Sequence, residues 1–390
     1  MFRSPPLPAP IQPPAGTRDL RLDFFRGLAL WWIFLDHIPD NFFSWLTVRN
    51  VGFSDATEIF VFISGYAAAL AYRRPLQQQG FGFTTLHVWR RCWQLYVAHL
   101  ILFLFYTAQI SYVAEHFGNP MYMDEMNVTR LLDAPHLALL EALLLEFRPA
   151  NMDVLPMYIV LLLGFPPLLW LLLRRPSAAL AISLALFVAV RFTELNLPAY
   201  PPGNGWYFNP FAWQFLFVIG AWCALHPAVG KWPAGWRRAV DVAAAVYLAA
   251  AAVVVASWSV PAVEAWIPGW LADWMYPIDK TSLDTLRLAH FLALAHLTLR
   301  CVPRDAHWLA RRWVRPLIVC GRHSLHVFCL GIFLSFAGHL VLIEFNGSVA
   351  AQLAVSVAGI AAMCALAYVL SWYGGRVRSA ALRKRELEAR

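Results

Sequence analysis

Ten runs of apolar residues, at about 24–42, 56–73, 88–113, 153–174, 178–194, 208–226, 238–258, 284–302, 316–342 and 349–373, divide this chain. Each is long enough to cross a hydrocarbon layer roughly 30 Å thick. With 60% hydrophobic and 14% charged residues among 390, the composition excludes an ordinary soluble domain. Eighteen Trp and 27 Phe suit lipid-facing helices with aromatic residues at the interfaces. The expected fold is an all-α polytopic membrane protein of about ten transmembrane helices. Residues 1–17 are proline-rich without an apolar signal-peptide core, and are expected to form an uncleaved, disordered cytoplasmic tail. Residues 18–375 form the membrane domain, and 376–390 a basic cytoplasmic tail. The apolar stretch 131–147 is interrupted by Glu141 and Glu146; it reads as an interfacial or re-entrant helix, with an eleventh span as the alternative.

Basic residues orient the helices. With the N-terminus inside, only Arg49, Arg130, Arg148, Arg191, Lys280 and Arg287 of the 31 Lys and Arg fall outside the inner loops and tails. That is a strong positive-inside bias, and an odd number of spans would move the basic C-terminal tail to the outer face. Both termini are therefore expected in the cytoplasm. The net charge of +8 follows from this topology, and no nucleic acid partner is needed to account for it. The outer loops 114–152 and 259–283 are rich in Trp, Tyr, Asp, Glu and Pro, a chemistry suited to a neutral hydroxylated ligand or to ordinary solvated loops with interfacial aromatics. The six cysteines form no CxxC pair, so neither a disulfide framework nor a metal site is expected. No internal repeat or paired set of interrupted helices points to a secondary transporter.

Within the first run, LDFFRGLALWWIFLDHI (Leu22–Ile38), ionisable groups accompany apolar ones. Such groups are costly at bilayer depth and mark functional positions by default. Arg26 and His37 are eleven positions apart, roughly 1100° of helical rotation, which brings His37 to within about 20° of Arg26. They stand about 16 Å apart along the axis. This register fits a long anionic thioester, with phosphate at Arg26 and the reactive carbon at His37. The alternative is a snorkelling arginine and a packed histidine. Pro39 lacks the N–H that would bond the Leu35 carbonyl, so the helix should kink or end there.

LDFFRGLAL followed by His37 resembles the opening helix of the integral-membrane acyltransferase-3 superfamily, with an arginine, ten residues, then a histidine. EIFVFISGY (Glu58–Tyr66) is similar to the FFxxSGF segment of its second span, and VWRRCWQLY (Val88–Tyr96) to the start of its third. Four later segments, NMDVLPMYIVL (Asn151–Leu161), FNPFAWQFLFVIG (Phe208–Gly220), KTSLDTLRLAHFLAL (Lys280–Leu294) and GRHSLHVFCL (Gly321–Leu330), resemble the OpgC family. That family comprises membrane succinyltransferases of osmoregulated periplasmic glucans. The resemblance covers about residues 18–373. It implies a multi-pass protein of the bacterial inner membrane that moves an acyl group to glucan hydroxyls, the donor being acyl-CoA, succinyl-CoA by resemblance, as a substrate with no permanently bound cofactor. The implied partners are the lipid bilayer, cytoplasmic acyl-CoA and a periplasmic glucan; assembly as a homo-oligomer is left open. One departure is Asp36 directly before His37, where the superfamily more often carries an apolar or aromatic residue.

A neutral imidazole suits removal of a hydroxyl proton as the oxygen attacks a thioester, which makes His37 the expected base. Arg26 is the expected phosphate or pantetheine anchor. Arg90 and Arg91 open the third run on the inner side and could hold nucleotide phosphates, or could be positive-inside charge alone. Ser64 and Gly65 could admit a pantetheine arm, although small residues more often serve close helix packing. Asp36, Glu58 and Asp153 could orient His37 or bind glucan hydroxyls, or could be solvated loop-end acids. Arg287 and His290, three apart, share a face and could stabilise an oxyanion or bind a succinyl carboxylate. His323 and His326 resemble metal ligands only in spacing, and His99, His296 and His339 read as structural. The competing function is a transporter or flippase for an acidic or glycosidic solute that uses the buried His and Arg.

Overall fold

The protein is described by a computed structural model covering residues 19–226 and 233–388, so the expected tail 1–17 and Lys231 lie outside the described residues. Seventeen α-helices follow one another among them. They are α1 (Leu20–Asp36), α2 (Ala56–Gln78), α3 (Phe81–His116), α4 (Met121–Glu125), α5 (Arg130–Asp133), α6 (Pro135–Leu143), α7 (Val154–Leu163), α8 (Phe165–Arg174) and α9 (Pro176–Thr193). After these come α10 (Pro210–Leu225), α11 (Ala234–Ser257), α12 (Pro261–Glu264), α13 (Gly269–Met275), α14 (Thr285–Cys301), α15 (Arg315–Arg322), α16 (Ser324–Glu344) and α17 (Val349–Glu388). A two-residue antiparallel hairpin, β1 (Pro198–Ala199) with β2 (Asn204–Gly205), interrupts an otherwise helical chain.

Every expected apolar run contains an α-helix, although the first turns out of its helix after Asp36. As single helices, five among the described residues are long and apolar enough to cross a membrane: α3, α9, α11, α16 and the Val349–Val377 part of α17. The bent pair α7 and α8 is a sixth if taken as one span. The pair turns by 54° at Gly164 because Pro166 and Pro167 withhold N–H groups from the carbonyls of Leu162 and Leu163. The helices α1 and α14, with 17 residues each, and α10, with 16, are shorter. In the 131–147 stretch the nine residues of α6 reach only about 14 Å, so it does not supply an eleventh span. α17 continues past residue 375 to Glu388, so the segment expected as a tail is helical through that point.

The described residues form two compact units, 60–226 with 233–294 in one and 19–59 with 295–388 in the other. In the second unit α1 packs against α15, α16 and α17. Gly27 and Gly321 make this contact: a Cβ on either would collide with the backbone carbonyl of Leu317 or Asp23 across the crossing. Phe34 lies over Gly359 of α17 in the same way. Asp19 caps α1, accepting from the Arg21 N–H at 3.1 Å, and the Arg21 guanidinium clasps both carboxylate oxygens at 3.0 and 2.8 Å. Burial pushes the Asp19 carboxyl up, but the bonds and charge of Arg21, with Arg304 behind it, outweigh burial and hold it below the usual carboxylate range. In the first unit α3 packs on α4, α7 and α8, and α10 on α7, α8 and α9. Trp213 of α10 is fully buried and donates its Nε1–H to the carbonyls of Lys280 and Thr281 at 3.2 and 3.1 Å.

Candidate functional site

The helix carrying Arg26 and His37 ends where Pro39 requires. α1 stops at Asp36, and His37 is its C-cap residue. The His37 N–H still donates to the Ile33 carbonyl at 3.1 Å, so the helical register runs through to it. The shared face with Arg26 therefore stands, and both side chains are half-buried. The Leu35 carbonyl released by Pro39 is met instead by the Ile38 N–H at 3.4 Å and the Asn41 Nδ2–H at 3.5 Å. Asn41 also donates to the Ser356 hydroxyl at 3.2 Å, tying the end of α1 to α17. The Asp36 Oδ1 accepts from the Thr47 hydroxyl at 2.7 Å, and Thr47 is fully buried. That bond assigns Asp36 a part in fastening the turn after α1.

Glu58 is fully buried at the start of α2. Its Oε2 accepts from the Asp55 N–H at 2.8 Å, while Asp55 Oδ1 accepts from the Thr57 N–H at 2.8 Å. The two acids form a reciprocal capping box that satisfies orphan donors of the helix start. Buried Asp23, in the first turn of α1, accepts from Arg322 Nε at 3.3 Å, an ion pair the sequence reading did not contain.

Of the residues in the first unit, Ser64 is buried and Gly65 faces the backbone of α10. A Cβ at Gly65 would collide with the Phe217 carbonyl, and one at Gly220 with the Phe62 carbonyl. Close packing of α2 on α10 thus accounts for Gly65. Arg90 is exposed; Arg91 is half-buried and donates to Gln94 Oε1 at 3.2 Å. Arg287 and His290 are both buried in the first turns of α14, where the His290 ring lies edge-on to Tyr247 with centroids 6.3 Å apart. Tyr247 in turn donates to the Leu286 carbonyl at 2.9 Å.

Asp153 stands just before α7 and accepts from Arg148 Nε at 2.8 Å. Arg148 is buried, also donates to the Leu145 carbonyl, and lies over the Trp206 ring at 4.6 Å. A parallel arrangement holds Arg130: it donates to both Glu141 oxygens at 3.2 and 2.9 Å and covers the Tyr200 ring at 4.6 Å. The Glu141 bond raises the Arg130 pKa above its ordinary value. Of these residues the sequence reading singled out Asp153; Arg148 and Arg130 were counted there only as outer charge. Arg–aromatic stacking could not be read from spacing, because Trp206 lies 58 positions after Arg148. His99 on α3, read as structural, is fully buried, and neither ring nitrogen is hydrogen-bonded among the described residues. His323 Nε2 lies 3.1 Å from the Ser371 hydroxyl, and His326 is exposed.

The family model for OpgC protein matches residues 18–375, nearly the whole chain, and the chain belongs to that family. Searches among curated proteins and among solved structures returned no significant match.

Proposed function

From membership of the OpgC family we propose that this protein is a membrane O-acyltransferase that modifies a periplasmic glucan, with acyl-CoA as donor and succinyl as the acyl group. The observation that carries the reading is the register of Arg26 and His37 on α1, maintained by a backbone ladder that runs through His37. About 16 Å of helix separates a cation suited to the donor's phosphates from an imidazole suited to its thioester.

In this reaction the neutral imidazole of His37 takes the proton of a glucan hydroxyl as that oxygen attacks the thioester carbonyl carbon. The tetrahedral intermediate collapses by breaking the C–S bond. The imidazolium then returns the proton to the departing thiolate, so ester and free CoA are the products. Arg26 contributes by fixing the distance between the donor's anchored end and its reactive carbon. The proposal puts the donor on the cytoplasmic side and the acceptor on the periplasmic side of an inner-membrane protein with ten spans and both termini inside.

Mass spectrometry of periplasmic glucans from cells with and without the protein is the test. The expected result is a succinyl mass increment that disappears in the absence of the chain. His37→Ala should lower transfer about 10²–10⁴-fold in protein that still inserts. Arg26→Ala should weaken donor affinity, at a cost of about 1.5–3 kcal/mol for a lost charge-assisted hydrogen bond. Retention of more than about a tenth of wild-type transfer by His37→Ala would rule out His37 as the base.

A further inference from the structure

Where α9 ends and α10 begins, the first unit holds a cleft of about 380 Å³ lined by Arg191, Glu194, Asn196, Asn209, Asp279 and Ser282. Its volume lies in the lower part of the roughly 300–1,000 Å³ occupied by small-molecule sites. Much of its wall is held rigidly. Asn209 caps α10, accepting from the Phe211 N–H at 3.0 Å and donating to the Leu195 carbonyl at 2.7 Å. Asn196 donates to the Trp206 carbonyl at 2.9 Å. Both oxygens of Asp279 accept backbone N–H groups, from Thr281 and Ser282, each at 2.8 Å. Arg191 donates Nη2–H to the Leu283 carbonyl at 2.9 Å and lies 4.5 Å from the Phe187 ring centre.

Two side chains in this frame are uncommitted. The Glu194 carboxylate and the Ser282 hydroxyl make no hydrogen bond or ion pair with any described residue. Glu194 is also the C-cap of α9, in the left-handed region at φ 53° and ψ 19°. Glycine is the residue that takes this conformation without strain. Glu194 is exposed at the mouth of the cleft, so its carboxylate is open to a ligand that enters from outside.

The donor set selects the ligand's chemistry. Arg191 donates, Glu194 accepts and Ser282 does both, matching hydroxyl groups that each donate and accept. An anion would meet two carboxylates against one guanidinium. A metal ion would compete for Asp279 oxygens already bonded to N–H groups. An apolar ligand would cover the Glu194 carboxylate and the Ser282 hydroxyl without pairing them.

We propose that this cleft is a sugar-binding subsite that holds one hexose unit of the acceptor glucan, with Glu194 as its principal acceptor. The inference rests on the reading of the protein as a glucan acyltransferase and adds to it where the acceptor is gripped.

The test uses the full-length purified protein and, as probe, periplasmic glucan extracted from cells that lack it, with affinity measured by titration calorimetry. Glu194→Gln removes the charge at constant shape. Glu194→Gly removes the carboxylate and relieves the left-handed strain, so its fold is not at risk. Both should bind glucan about 10- to 100-fold more weakly, and Glu194→Gly should melt higher than wild type. Wild-type affinity in both variants, or no glucan binding by the wild type, overturns the subsite. Acyl transfer is measured separately. Glucan binding that depends on Glu194 without any transfer would refute the acyltransferase reading and leave the subsite standing. Transfer with affinity indifferent to Glu194 would do the reverse.

Discussion

Gly27→Ala adds a single methyl group at the crossing of α1 and α15. Its Cβ would overlap the Leu317 carbonyl and lie 3.2 Å from the Gly321 nitrogen. Comfortable contact between such atoms needs about 3.5–4.0 Å, so the helices must separate by more than roughly 1 Å. The obstacle is backbone on both sides and has no rotamer to change. A gap of that size forfeits about a quarter to a half of the dispersion attraction along the seam. Overpacking of a tight interior costs about 1–3 kcal/mol, and a backbone collision belongs at the upper end. The better helix propensity of alanine offsets about 1 kcal/mol. The net loss is about 2 kcal/mol, or a fall in melting temperature of about 4–8 °C for a unit of this size. Thermal unfolding in detergent, followed by tryptophan fluorescence, measures it. Gly321→Ala should behave alike, since its Cβ would meet the Asp23 carbonyl and lie 3.0 Å from the Gly27 nitrogen. The double variant should lose less than the sum, because one separation accommodates both methyls. A Gly27→Ala protein that melts at or above wild type, or a strictly additive pair, would refute this account of the crossing.

Two further outcomes follow from the electrostatics and the helix order. The Asp19 carboxyl is held below its ordinary value of 3.8, so the stability it confers is present above that pH and lost as pH falls through the lower folded-state value. Asp19→Asn should therefore be less stable than wild type at neutral pH, and the difference should shrink on acidification below about pH 4; a difference constant with pH would exclude the charge as its source. Reporter fusions within 114–152 and 259–283 should read periplasmic, and those at either terminus cytoplasmic. A cytoplasmic reading in either loop would break the proposed ten-span order.

Several parts of the candidate site were legible because they are local. The end of α1 at Asp36 follows from Pro39, and the burial of Arg287 with His290 follows from three-residue spacing on an apolar helix. The Asp55–Glu58 capping box has a sequence signature, an acid followed three positions later by glutamate, whereas the expectation for Glu58 was that it orients His37, binds glucan hydroxyls or is a solvated loop-end acid. Asp36 could not be placed from spacing, because its partner Thr47 is reached only after the chain turns back through a short 3₁₀ helix.

Sequence alone determined where helices form, since apolar run length is a property of contiguous residues. It also determined the register of Arg26 with His37, because a helix fixes rotation per residue whatever surrounds it. Tertiary structure decided the pairings between distant residues. Gly27 meets α15 some 290 positions away, Gly65 takes the Phe217 carbonyl, and Arg148 lies between Asp153 and Trp206. It likewise decided that Glu194 ends α9 in a left-handed turn at the rim of a polar cleft. Backbone approach and stacking depend on how helices cross, and one-dimensional spacing carries no record of a crossing.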